Sequence, residues 1–239
     1  MADEHGDART IPIAKCILAL SDAPWEFAEE NVVAIAEHWA RARIERPKLF
    51  NGVVHVLRDW RVDDGTLRGT FLRTDFKSFL YWRETGYGAA AGVWDGFGSS
   101  VIRSADGAVM LGRQTEGNMN SGLYYPPSGM IDAKDAGPAG IDIEASVLRE
   151  LGEESGLVAS ELERVPGYLL VVAGRLVCVA IEWRSALKAD ALRARMLDHI
   201  RRDPSPELAD IVIVRRRGEM DESKVPDYAR ALLGRILPA

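Results

Sequence analysis

Sulfur and imidazole, the usual ligands of transition metals, are scarce in this sequence. Its two cysteines, Cys16 and Cys178, lie inside apolar runs (AKCILAL and RLVCVAI), and its four histidines are His5, His38, His55 and His199. No cysteine pair has the spacing of a zinc or redox motif. Both thiols therefore read as buried free groups in a reducing cytosol, and the expected localisation is cytoplasmic. The histidines lack ligand spacing and read as surface or structural residues. Long apolar runs are missing as well. Nothing approaches the ~20 residues that span a bilayer, and MADEHGDART lacks the apolar core of a signal peptide. Residues 1–10 read as a disordered tail. Nor is there an excess of positive charge: 30 basic against 36 acidic residues give −6. That balance excludes the broad field of a nonspecific nucleic-acid binder. A phosphate can still be held locally, by a few arginines or a bound cation. Neither nucleic acid nor a membrane is an expected partner.

The remainder is globular in composition, 47% hydrophobic and 28% charged over 239 residues. This suffices for one large domain or two small ones. IPIAKCILAL (11–20) reads as a strand. SDAPWEFAEENVVAIAEHWARARIER follows as an amphipathic helix, with Ser21 or Asp22 as N-cap and Pro24 in the first turn. Its stripe is Phe27, Val32, Val33, Ile35, Ala36 and Trp39. These apolar side chains are suited to burial against the core or against a second chain, as in a homodimer. VVHVLRDWRV and TLRGTFLRT flank DDG as a hairpin. TDFKSFLYWRETG reads as a helix with a Thr cap and a Gly stop. Together these make a small α+β domain over 11–90.

A second domain is expected over 91–239. FGSSVIRS and AVMLGRQ form strands around ADG, and TEGNMNSGLYYPPSGMID is a long loop. PGYLLVVAGRLVCVAIEWRS is a hairpin around AGR, KADALRARMLDHIRR a helix, ADIVIVRR a strand and VPDYARALLGRIL a closing helix. Hairpins mixed with helices argue for α+β and against a doubly wound parallel sheet.

Between the long loop and the second hairpin lies LRELGEESGL (148–157). On a helix, Glu150, Glu153 and Glu154 share one face and repel. They also sit near a helix C-terminus, where the macrodipole disfavours anions. A solvated acidic face is one reading. The other is a site for a hard divalent cation, Mg²⁺ or Mn²⁺, bound by oxygen ligands alone and accompanied by substrate phosphates. Asp142 and Gly156 suit the N-cap and C′ positions of this helix.

Arg149-Glu150-Leu151-Gly152-Glu153-Glu154-Ser155-Gly156-Leu157 resembles the second half of the Nudix box, Arg-Glu-apolar-x-Glu-Glu-x-Gly-apolar, at every specified position. The first half departs from the pattern. Gly129 in PPSGMID takes the place of the leading Gly, with Ser128 where the family has another Gly. About six extra residues separate Gly129 from Arg149, and the family's first-half Glu falls at Ile141, beside Asp142.

The resemblance implies a Nudix α/β/α sandwich around a mixed sheet, here preceded by the small α+β domain. It implies hydrolysis of a nucleoside diphosphate linked to another group, by water attack at phosphorus. Glu150, Glu153, Glu154 and the backbone near Gly129 would bind Mg²⁺. Arg149 would fix a glutamate rotamer, and Glu150 or a carboxylate outside the box would act on the water. Glu207, in DPSPELADIVIV, is the first candidate for that outside acid and Glu182 the second. Arg113 is the first choice for a phosphate contact and Arg175 the next. Asn118, Asn120, Tyr124 and Tyr125 could read a sugar or base, or else pack the loop. RPKLFNGVVHVLRDW with TFLRTDFKSFLYWRETG is similar to the region ahead of the core in Nudix enzymes acting on UDP-sugars. The leading expectation is therefore a nucleotide-sugar diphosphatase. ADP-ribose or coenzyme A-type diphosphates are the alternatives, along with a non-catalytic nucleotide sensor of the same fold.

Overall fold

A computed structural model describes residues 8–88, 92–117 and 119–239. By contacts the chain divides into two units, one of 15–96 and 130–143, the other of 1–14, 97–129 and 144–239. The boundary expected near residue 90 falls between Gly96 and Phe97. Two segments sit across it in sequence: 1–14 belongs with the C-terminal residues and 130–143 with the N-terminal ones.

In the first unit the strand Lys15–Ser21 pairs in parallel with Thr66–Asp75, which pairs antiparallel with Val53–Asp63. The hairpin turns at Asp64 and Gly65, both with positive φ (47° and 68°). This is the two-residue turn whose twist matches that of the flanking strands. The helix expected over 21–46 is broken into α1 (Glu26–Glu30) and α2 (Val32–Glu45). Asn31 separates them, its side chain donating to the Phe27 carbonyl at 2.8 Å. Such local side-chain bonds compete with helix continuation. Ser21 Oγ accepts from the Ala23 amide instead of capping the helix. The break also rotates the stripe: Phe27, Ile35 and Ala42 are buried, whereas Val32 and Val33 are exposed. The tryptophans Trp25 and Trp82 are core residues in edge contact, ring centroids 5.3 Å apart. α3 (Phe76–Glu84) is capped one residue later than expected, by Asp75, whose carboxylate accepts from the Ser78 amide. Gly86, at φ +80°, ends it.

The second unit is three layers deep. Its strands include Phe97 onward of Val93–Arg103, together with Val109–Gln114, Tyr168–Ala173, Leu176–Ser185 and Leu208–Val214. The strand expected over 11–20 is two strands: Arg9–Ile13 pairs with Tyr168–Ala173, so Arg9 and Thr10, expected in the disordered tail, are strand residues. Val109–Gln114 pairs antiparallel with Leu208–Val214 and with Tyr124–Tyr125. Successive strand residues enter opposite cores, as the period of two requires. Val101, Val109, Leu111 and Ala180 pack on one face with α6 (Asp227–Ile236). Ile102, Met110 and Ile181 pack on the other face with α4 (Ile143–Ser155) and α5 (Ala189–Arg202). The expected α/β/α layering therefore holds in this unit. Cys178 is buried and Cys16 half-buried, and neither forms a disulfide. Among the described residues no helix is long and apolar enough to cross a membrane.

Candidate active site

α4 carries the acidic string, with Val147 and Leu151 fully buried against the sheet. Its end is fixed by Gly156, at φ +68°, whose amide donates to the Gly152 carbonyl. His199 of α5 closes the same terminus, its Nε2 lying 2.9 Å from the Glu153 carbonyl. That contact gives His199 the structural role expected of it and satisfies an end carbonyl.

The glutamates are not equivalent. Glu150 and Glu154 are buried, while the Glu153 side chain is about half exposed. Arg149 Nη1 donates to Glu150 Oε1 at 2.6 Å and to Glu153 Oε2 at 3.3 Å. One guanidinium nitrogen therefore ties the two carboxylates together. Glu154 Oε2 accepts from the Ser128 amide at 3.1 Å. Ser128 is itself held, its hydroxyl oxygen lying 2.7 Å from the Pro126 carbonyl and 2.8 Å from Ser99 Oγ. Behind Glu150 stands Gly129, where a Cβ would lie 2.0 Å from Glu150 Oε1. Only glycine lets that backbone and this carboxylate approach so closely.

Burial pushes Glu150 up to about 7; Arg149 pulls it down, while Glu153 and Glu207 raise it further. Burial likewise holds Glu154 well above the carboxylate range, with Glu150 and Glu207 adding to it. Hydrogen bonds from Ser128 and the Gln114 side chain oppose this. Glu207 is raised by lost hydration, then by Glu153 and Asp203. Its backbone is pinned, with the Thr115 amide donating to the Glu207 carbonyl and Thr115 Oγ1 to that of Pro206. Glu207 thus stands within the electrostatic reach of Glu150 and Glu154.

Among the described residues no three His, Cys, Asp or Glu side chains are already gathered around one point to hold an ion. The donor set nonetheless suits a hard cation. It is all oxygen, two of its acids are buried against their own hydration, and their mutual repulsion is of the kind a divalent charge removes.

Other candidates lie elsewhere. Glu182 is committed to Arg103 (3.1 Å) and Arg184 (3.5 Å), which leaves it a structural ion pair. Arg113 alternates with Gln114 along its strand and so belongs to the α6 face, with Val109 and Leu111. Gln114, one residue on, is buried on the α4 face, where its side chain lies close enough to Glu154 to oppose the rise in its pKa. The sequence reading missed Gln114; its signal was strand parity, counted from Met110 in the α4-side core. Tyr125 is a core residue, not a free loop reader: it is buried beside Tyr228, and its hydroxyl accepts from Asn120 Nδ2 at 2.7 Å. Tyr124 is half-buried against the same core. Arg175 occupies the hairpin tip between Tyr168–Ala173 and Leu176–Ser185. Asn118 lies outside the described residues. The cation whose field reaches both Glu150 and Glu207 is Arg149.

No family model matches the chain, and no curated protein sequence matches it. A MutT protein from Methanosarcina mazei Go1 is 19% identical, covering 60% of this chain and 92% of its own, with a TM-score of 0.38. RenU, a Nudix hydrolase from M. smegmatis, is 18% identical over 61% of this chain and 86% of its own, at a TM-score of 0.38. A bifunctional NMN adenylyltransferase/ADP ribose pyrophosphatase from Francisella tularensis is 10% identical over 65% and 44%, at 0.39. These are among the solved structures to which the chain is similar.

Proposed function

We propose that the protein is a Mg²⁺-dependent Nudix hydrolase cleaving the diphosphate of a nucleoside diphosphate derivative, with a nucleotide sugar as substrate. One observation carries the reading. The acids of the box string stand within each other's fields and that of Glu207, two of them buried, and a glycine-only approach backs Glu150. A surface acidic face has no reason to bury its charges or to hold them from behind.

Glu150, Glu153 and Glu154 would hold the ion, with the backbone at Gly129 beside them; Mn²⁺ would serve as a substitute. When bound, the ion lowers the pKa of its water and neutralises charge developing on the phosphates. The chain's own residues do the rest. Arg149 sets the Glu150 rotamer and draws Glu153 toward it. The Ser128 amide fixes the Glu154 carboxylate from behind, with the Gln114 side chain beside it. Glu207, a carboxylate outside the helix, is the residue suited to orient water or take its proton. Arg175 remains the proposed phosphate contact, whereas Arg113, on the α6 side of the sheet, is set aside.

Turnover of the purified protein with Mg²⁺ against nucleotide sugars, ADP-ribose and coenzyme A-type diphosphates tests this. Release of nucleoside monophosphate that Glu153→Gln abolishes supports the enzyme. Tight nucleotide binding with no turnover across the panel would replace it with a sensor.

A further inference from the structure

The hydroxyls of Ser99, Ser128 and Tyr228 meet on the α6 side of the sheet, with Ser99 and Tyr228 buried. Ser99 shares its strand face with Phe97 and Val101 of that core. Ser128 Oγ lies 2.7 Å from the Pro126 carbonyl, 2.8 Å from Ser99 Oγ and 3.4 Å from the Tyr228 hydroxyl. Its own proton can serve just one of them. A carbonyl only accepts, so that proton goes to Pro126. The two lone pairs of Ser128 are then left to accept from Ser99 and from Tyr228. Burial first, then Tyr125, Cys178 and Glu154, hold the Tyr228 hydroxyl well above the phenol range, against the Ser128 bond. It stays protonated and donates.

Ser128 has a second task on its main chain, where its amide donates to Glu154 Oε2 at 3.1 Å. The direction of that N–H follows the backbone around it. Pro126 and Pro127 carry no amide hydrogen with which to hold the segment. Its carbonyls and the Ser128 side chain hold it instead. The Pro127 carbonyl accepts from the Ser100 amide at 2.8 Å, and the Pro126 carbonyl is taken by Ser128 itself. The Tyr228 hydroxyl ties the same side chain to the first turn of α6. The Tyr228 ring is fixed by other contacts, its centroid 5.0 Å from that of Phe97 and 6.1 Å from that of Tyr125. The hydroxyl is therefore presented from a packed, well-defined position.

We propose that Tyr228 is a positioning residue for Glu154: its hydroxyl, from the α6 layer, holds the Ser128 side chain, and the Ser128 amide holds the carboxylate. The proposal rests on the reading of Glu154 as a cation ligand. Partners that orient a ligand directly are worth about 10–100-fold in metal affinity. Tyr228 acts one bond further out and through the longest of the three contacts, so its share is about three- to tenfold.

Mn²⁺ titration of the full chain, followed by electron paramagnetic resonance, tests it on Tyr228→Phe, Ser128→Ala and the double variant. Phenylalanine keeps the ring contacts, and urea midpoints check that each variant is folded. Tyr228→Phe should weaken Mn²⁺ binding about three- to tenfold and Ser128→Ala at least as much. The double variant should lose no more than Ser128→Ala alone, since both substitutions cut the same route. A tyrosine that merely packs would leave the affinity at the wild-type value, and that result overturns the proposal. So does a double variant in which the two losses multiply, because Tyr228 would then act by a route other than Ser128. A wild type that binds no Mn²⁺ removes the cation reading and the positioning role together. Wild-type binding that Tyr228→Phe leaves unchanged removes the positioning role alone.

Discussion

Gly129→Ala separates the site's geometry from the fold's stability. A Cβ there would sit 2.0 Å from Glu150 Oε1, 2.1 Å from its Cδ and 2.5 Å from its Cγ. Ordinary contact begins near 3.4 Å, so the carboxyl must retreat by about 1.4 Å, or turn away altogether. Gly129 is not among the glycines with positive φ, so the alanine brings no backbone strain and its whole effect falls on Glu150. Overpacking costs about 1–3 kcal/mol where the neighbour is rigid. Here the neighbour is the end of a flexible side chain whose burial already disfavours its charge. Moving it toward water offsets part of that cost, and a net stability change within about 1 kcal/mol is expected. Activity is affected differently. A displacement of this size at a reacting centre costs on the order of 100-fold. Urea denaturation and turnover on the same preparation measure the two effects separately. Gly152→Ala is the control, since the nearest atom to its added Cβ is 3.8 Å away. A variant with Gly129→Ala whose turnover stays within about threefold of wild type at unchanged stability would refute the placement of Glu150 in the chemistry.

Gly152→Ala, in the middle of α4, should stabilise the protein by about 0.5–1 kcal/mol by removing backbone entropy from the unfolded chain, read as a rise in the urea midpoint. Gly156→Ala should destabilise by about 2 kcal/mol or more in the same assay. Its φ is +68°, and the new Cβ would meet His199 Cγ at 2.5 Å. Gln114→Ala should lower turnover about tenfold with the fold retained, because it removes the polar side chain set beside a proposed ligand; an unchanged rate would show that Ser128 alone suffices for Glu154. Burial raises Asp95 to about 6, with the Arg83 charge and the Tyr87 hydroxyl opposing. The folded state therefore holds this proton more tightly than the unfolded one. Its contribution is full below about pH 4 and is lost as pH rises through about 6, for at most about 3 kcal/mol. Asp95→Asn should flatten that part of the stability profile, measured as urea midpoints at acid and neutral pH.

Local signals were legible in the sequence and long-range ones were not. The string at 149–157 was readable because every residue it needs lies within three helical turns. The Asp64–Gly65 turn and the Gly86 and Gly156 stops were readable for the same reason: each depends on φ at one or two positions. Parity on the strand Val109–Gln114 depends on which core Met110 enters, and that is decided by α4 more than thirty residues later. Hence Arg113 was preferred where Gln114 faces the glutamates. Glu182 looked available until Arg103, far away in sequence, took it. Tyr125 needed Tyr228 to become core. The break at Asn31 is a contest between helix propensity and one side-chain hydrogen bond, and composition does not decide such contests. It also turned half of an apparent core stripe outward.

The claim that α4 gathers its glutamates around a cation is tested most directly by Mn²⁺ titration, followed by electron paramagnetic resonance, of the wild type and of Glu153→Gln and Glu154→Gln. The account predicts saturable binding by the wild type, weakened at least about tenfold in each variant. Equal affinity in all three proteins would contradict it, and would return Glu150, Glu153 and Glu154 to the reading of an acidic helix face with no ion to hold.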